Sequence, residues 1–174
     1  LESVQQLAYA DYEVIVVDDG STDAVPEIVA EFRDVRCLRI DHNGLSAARN
    51  HGARAATGEI IAYLDDDAAA DDEWLTFLAL GFEDPRVGCV GGPNIPPMAQ
   101  HLVEACVAAA PGGPAHVMLN DREAEHLPGC NLAVRRTAWE ETGGFDERHR
   151  TAGDDVDFCW RLMEHGWRLV FEPG

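Results

Sequence analysis

The stretch Glu59-Ile60-Ile61-Ala62-Tyr63-Leu64, followed at once by Asp65-Asp66-Asp67, constrains the fold more than any other part of the chain. A short apolar run of this kind reads as a strand buried on both faces, as in parallel sheets. Ligands of open α/β sheets bind beyond the carboxyl ends of the strands, and this run delivers three carboxylates there. Adjacent acids repel one another, and crowding them is costly unless a cation is present. Carboxylates acting with phosphate oxygens hold Mg²⁺ or Mn²⁺. Taken alone, the triplet is better read as a solvated acidic turn. The rest of the chain decides.

A second strand-to-acid junction lies upstream. Val14-Ile15-Val16-Val17 is a β-branched strand run ending at Asp18-Asp19-Gly20-Ser21-Thr22-Asp23. Gly20 allows a tight turn there, and Asp23 or Thr22 is placed to cap a helix over Val25–Phe32. Cys37–Ile40 reads as a strand and Leu45–Ala56 as a helix, whose interior Gly52 implies close packing on the sheet. With Glu59–Leu64 the order is β, α, β, α, β, which predicts right-handed crossovers and a mostly parallel central sheet. Two acidic clusters thus fall at the carboxyl ends of two strands.

Downstream, the pattern predicts a helix from Asp72 to Phe82 and a strand over Val87–Val90. Periodicity is poor from Gly91 to Gly129, with one helix between Gln100 and Ala109 and a turn at Pro111-Gly112-Gly113-Pro114. Leu132–Val134 reads as a strand, Thr137–Glu141 as a helix and Gly143–Asp146 as a turn. A helix opens at Asp154-Asp155 and runs to about His165, with Val156, Cys159, Trp160 and Met163 along one face. Gly166 caps it, and Arg168–Phe171 is a last strand. Residues 1–11 read as the end of a helix.

Length and composition narrow the function. A chain of 174 residues is expected to form one domain, 1–174. There are 32 Asp+Glu against 13 Lys+Arg, net −19, and every one of the 13 bases is arginine. The absence of lysine excludes Schiff-base and P-loop chemistry. The acidity argues against nucleic acid as a partner, which demands a basic footprint. It also suits a chain adapted to high salt. Five scattered cysteines without a CxxC read as reduced core residues of a cytoplasmic protein. No apolar run approaches the length of a membrane span, and the histidines lack zinc-site spacing.

Two families with an acidic pair after the first strand fail on named residues. A phosphorylation-type receiver needs a late lysine, and a haloacid-dehalogenase-type phosphatase needs a second carboxylate two places after the first. The chain instead resembles the family 2 glycosyltransferases of GT-A fold. The likeness runs through Val16-Val17-Asp18-Asp19-Gly20-Ser21-Thr22-Asp23, Asn43-Gly44, Ala48-Arg49-Asn50-His51-Gly52 and Thr57-Gly58-Glu59. It continues through Leu64-Asp65-Asp66-Asp67, Asn131–Arg136, Gly143-Gly144-Phe145-Asp146 and Gly153-Asp154-Asp155-Val156-Asp157. Each motif is soft, but the ordered set is specific.

The resemblance implies a three-layer α/β/α sandwich that binds a nucleotide-sugar, with a UDP-sugar the expected donor. It implies that Asp18, Asp19, Ser21, Asp65 and Asp66 face the donor, and that Asp67 and Asp65 hold Mg²⁺ or Mn²⁺. Asp155 would be the general base for a glycan, lipid-linked or protein acceptor, with inversion at the anomeric carbon. By the same resemblance both ends look truncated, and Asp154-Asp155 stands where Glu-Asp is commoner. Plainer roles compete at several positions. Asp154 can serve the helix dipole, Asp157 an ion pair with Arg161, and Cys159 and Trp160 the core. Arg49 reads as structural, Arg135 and Arg136 as surface or ion-paired, and Cys130 as packing. A sugar-nucleotide-forming nucleotidyltransferase and a non-catalytic binding module stay open.

Overall fold

The computed structural model describes residues 1–108 and 115–173. The expected turn at Pro111–Pro114 and the end of the helix predicted to reach Ala109 lie outside them. The first ladder is parallel: β1 (Val14–Asp18) pairs with β2 (Val35–Arg39), Val17 opposite Leu38. Helix α1 (Val25–Val29) connects them, and α2 (Leu45–Ala55) packs back on β1. Gly52 makes that packing possible, because a Cβ there would lie 3.2 Å from Val17 Cγ2.

A four-stranded sheet follows, in the order β3 (Ile60–Leu64), β7 (Asn131–Arg135), β4 (Val87–Gly91), β8 (Arg168–Phe171). β7 runs antiparallel to both neighbours, whereas β4 and β8 are parallel, so three of the four strands share one direction. β4 is buried along its whole length, as its uninterrupted small and apolar sequence requires. Helices α3 (Trp74–Gly81), α5 (Arg136–Thr142) and α6 (Asp154–Glu164) join the sheet, and α4 (Leu102–Ala108) follows β4. The larger core gathers Leu127, Leu132, Phe145, Phe158 and Leu162 between α5, α6 and the sheet.

Several expectations are corrected. The stretch of poor periodicity contains a hairpin, β5 (Val117–Met118) with β6 (Ala124–His126), bridged to β8 through Glu123 and Val170. Residues 1–11 hold only one turn of 3₁₀-helix, Val4–Gln6. Neither Thr22 nor Asp23 caps α1, whose N-cap is Ala24 with no side-chain bond. The buried stripe of α6 is Asp154, Phe158, Cys159 and Leu162, and Trp160 is half-exposed, donating to Glu125 at 3.2 Å. Arg135 is ion-paired with Glu59 at 3.4 Å, as one of the two expected roles had it, but both arginines also bond backbone. Arg135 donates to the carbonyls of Val87 and Phe82, and Arg136 to those of Gly58 and Ala56 near the end of α2. Of the cysteines, Cys89 and Cys159 are core residues, but Cys37 and Cys106 are exposed; all five are free thiols. Among the described residues no helix is long and apolar enough to cross a membrane.

Candidate active site

An open pocket of about 360 Å³ lies beyond β3, lined among others by Arg49, Asp65, His126, Gly129, Cys130 and Asp155. Stretches far apart in the sequence build it. β3 ends at Asp65, the turn after Leu127 brings Gly129 and Cys130, and α6 begins at Asp154-Asp155. Arg49, projecting from α2, ties two of these together. Its Nη1 donates to Asp154 at 2.6 Å and its Nη2 to Asp65 at 3.3 Å, with the arginine itself only 9% exposed. Asp154 is 2% exposed, so its charge is compensated by Arg49 and not by the helix dipole alone. Gly129 leaves room for this arrangement: a Cβ there would stand 2.6 Å from Arg49 Nη1.

Asp155 points into the pocket and is held by backbone. Its Oδ2 accepts from Gly129 N–H at 3.0 Å, its Oδ1 from Val156 N–H at 2.9 Å, and His126 Nε2 lies 3.5 Å from Oδ2. Burial raises the Asp155 carboxyl, but the Gly129 amide, His126 and the Val156 amide outweigh it, and the group ends below its ordinary range. It is therefore an ionised acceptor at neutral pH. Cys130 moves the other way, burial and then the charge of Asp65 pushing its thiol up.

The first acidic pair is engaged internally. Asp18 has a fully buried carboxylate, accepting from Arg39 Nη1 at 2.6 Å and from Ser21 N–H at 2.8 Å. Asp19 accepts from Asn43 N–H and Gly44 N–H, each at 2.8 Å, so it fastens the loop after β1 to the start of α2. Asp66 and Asp67 are exposed on the turn after Asp65. Their carboxylates are hard oxygen donors open to solvent, a set suited to Mg²⁺ or Mn²⁺ with further oxygens from a diphosphate and water.

Among the described residues, three metal-type donors converge only at Asp146, His149 and Asp157. There Arg148 and Arg161 already balance the carboxylates, the latter in the expected i,i+4 pair with Asp157 at 2.8 Å. The structure thus brings Asp65 and Asp155 to one pocket and places Asp18 at the end of β1 and Asp19 and Ser21 in the loop after it. Sequence reasoning missed His126 and Gly129 and undervalued Arg49. The Arg49-Asn50 pair within the quoted motif was the available signal for the last.

Comparison with known proteins gives a consistent result. The Glycosyl transferase family 2 profile matches residues 1–143. A pre-mycofactocin glycosyltransferase of Mycobacterium tuberculosis is 37% identical over 171 residues, covering 92% of this chain and 36% of that protein. A poly-beta-1,6-N-acetyl-D-glucosamine synthase of Staphylococcus epidermidis is 35% identical over 99% of this chain and 44% of its own length. The chain therefore spans less than half of either relative. Among solved structures, the mannosyltransferase PcManGT of Pyrobaculum calidifontis, in complex with GDP-Man and Mn2+, superposes with TM-score 0.74 at 25% identity. It covers 99% of this chain and 49% of that one. Staphylococcus aureus TarS with UDP-GlcNAc gives 0.73 at 19% identity over 98% and 50%. The mixed sheet with its single antiparallel strand is the GT-A fold, and the chain belongs to glycosyl transferase family 2.

Proposed function

We propose that residues 1–174 form one GT-A domain that transfers a sugar from a nucleotide-sugar donor to an acceptor hydroxyl with inversion. The observation that carries this is the pocket shared by Asp65 and Asp155, its two sides joined through Arg49. Asp18, Asp19, Ser21, Asp65 and Asp66 form the donor side; Asp18 acts by fixing Ser21, since its own oxygens are buried. Asp67 and Asp65 would hold Mg²⁺ or Mn²⁺, whose charge offsets that of the diphosphate. Asp155 takes the proton of the acceptor hydroxyl as that oxygen bonds to the anomeric carbon. The bond from that carbon to the diphosphate breaks, its electron pair leaving with the nucleoside diphosphate. Attack from the opposite face inverts the centre.

Relatives named for polysaccharide and dolichyl-phosphate chemistry support a glycan or lipid-linked acceptor, and TarS with UDP-GlcNAc supports a UDP-sugar donor. Free thiols throughout support a cytoplasmic location. The test is transfer by the full-length polypeptide with a nucleotide-sugar panel and Mn²⁺. Asp155→Asn, nearly isosteric, lowers transfer by about 10²–10⁴-fold and leaves donor affinity unchanged. Asp67→Ala loses the metal-dependent part of donor binding. Near-normal transfer by Asp155→Asn would remove the base from this reading, and binding without turnover by the wild type would make the domain a binding module.

A further inference from the structure

His126 stands across the pocket floor from Asp155 on an element that the sequence did not announce. β6 is clamped to α6 on both sides of it. Glu125 accepts from Trp160 Nε1 at 3.2 Å, and the Leu127 carbonyl meets Cys159 Sγ at 3.7 Å. The position of the imidazole is thus fixed by the same helix that presents Asp155. His126 Nε2 is buried without a hydrogen-bond partner, and Asp155 Oδ2 lies 3.5 Å away. A buried ring nitrogen facing a carboxylate just beyond bonding distance is costly as it stands. Catalytic hydrogen bonds are often long in the free enzyme and tighten when substrate binds.

The lone pairs of Asp155 show what such a bond would do. An ionised carboxylate has about four acceptor sites, two on each oxygen. Gly129 N–H fills one on Oδ2 and Val156 N–H one on Oδ1. A bond from His126 Nε2, 3.5 Å from Oδ2, would fill a second site on that oxygen and leave one site, on Oδ1, for a proton arriving from the pocket.

We propose that His126 is a positioning residue for Asp155, its Nε2–H donating to Oδ2 and so reserving Oδ1 for the acceptor hydroxyl. This rests on the reading of Asp155 as the base. Either the neutral Nε2–H tautomer or the imidazolium can donate, so the role does not depend on the charge of the ring. During transfer the acceptor proton moves to Oδ1 as the new glycosidic bond forms. The proton then leaves to water after product release, and His126 neither gains nor loses one.

The experiment uses the full-length polypeptide with Mn²⁺ and UDP-GlcNAc or GDP-mannose, reading nucleoside diphosphate release to water and to added acceptors. His126→Ala lowers kcat about 10–100-fold, the size of loss that follows removal of a hydrogen-bond partner orienting a metal ligand, with donor KM unchanged. His126→Gln recovers most of it, because its amide nitrogen can occupy the place of Nε2. In an Asp155→Asn background, His126→Ala causes no further loss. A Gln variant no better than Ala, an effect on KM alone, or additive losses would overturn the proposal. If Asp155→Asn is inactive while His126→Ala is normal, only the role of His126 fails; if Asp155→Asn is normal, the base reading fails first. An arm independent of turnover compares the ¹⁵N resonance of His126 Nε2 in wild type and Asp155→Ala with UDP and the diamagnetic Mg²⁺ present. It shifts if the bond forms, and identical signals overturn the proposal.

Discussion

Two charged residues of this chain do opposite things with burial. Arg49 shares its guanidinium between an aspartate of the core and one of the pocket, so its charge is spent on holding Asp65 and Asp154 in register. Asp18 is deeper in effect, with no exposed carboxylate surface, and the Ser21 amide and hydroxyl followed by Arg39 hold its carboxyl below the usual range against the pull of burial. The consequence for stability has a definite sign. The unfolded value is about 3.9, so in acid the folded state binds fewer protons than the unfolded one. The contribution is fully present above that value and is lost as pH falls through the lower folded value. Asp18→Asn is expected to be less stable at neutral pH, and its thermal midpoint should fall less steeply than wild type below about pH 4. Parallel acid limbs for the two proteins would mean that Asp18 does not carry this linkage.

At the level of elements, the segment between α5 and α6 is latched to α2. Asn50 of α2 grips the backbone of Phe145, donating to its carbonyl at 2.8 Å and accepting from its N–H at 2.9 Å. This close approach requires Gly144, which has φ +77° and whose Cβ would meet Asn50 Oδ1 at 2.5 Å and Trp139 at 2.8 Å. Gly144→Ala should therefore destabilise the domain by at least about 2 kcal/mol, the left-handed backbone and the overpacking acting together. A urea midpoint within error of wild type at unchanged slope would contradict that. The same latch shows what was legible beforehand. Val14–Val17, Ile60–Leu64 and the junctions ending in acids carry their signal locally, and the structure keeps both runs as strands. Ile60–Leu64, expected to be buried on both faces in a parallel sheet, is nevertheless an edge strand antiparallel to β7 and buried only at Ile61. Arg49 and Asp154 lie 105 residues apart in sequence, and no periodicity announces such a pair. The stripe of α6 was set one position off for a related reason: Asp154 is buried as a charge, and apolar spacing counts it as surface. β5 and β6, of two and three residues, are too short for alternation to register, so His126 stayed hidden with them.

For the molecule as a whole, the decisive quantity is the net charge of −19 with arginine as the only base. Many of those arginines are occupied with backbone. Arg135, Arg136 and Arg161 each bond two or more carbonyls, which staples elements together but leaves much of the acidic surface without a partner. Asp66, Asp67, Asp71, Asp72 and Glu73 are all exposed within one short stretch of the sequence beside the pocket. Folding concentrates this charge, and the repulsion extends over about 30 Å at 0.01 M salt but only about 3 Å at 1 M. Exposed ion pairs such as Arg54–Glu147 and Arg36–Glu13 work in the other direction and weaken as salt rises. Each such pair contributes only about 0–1 kcal/mol, so relief of the net repulsion should dominate. The thermal midpoint is accordingly expected to rise as NaCl increases from about 0.01 M to 0.5 M, most steeply at the low end where the screening length shrinks fastest. Sucrose at matched osmolality separates screening from solute exclusion, because it stabilises without shortening the range of the repulsion. A midpoint that stays level or falls with NaCl would show that local pairs, not the summed charge, govern the stability of this domain.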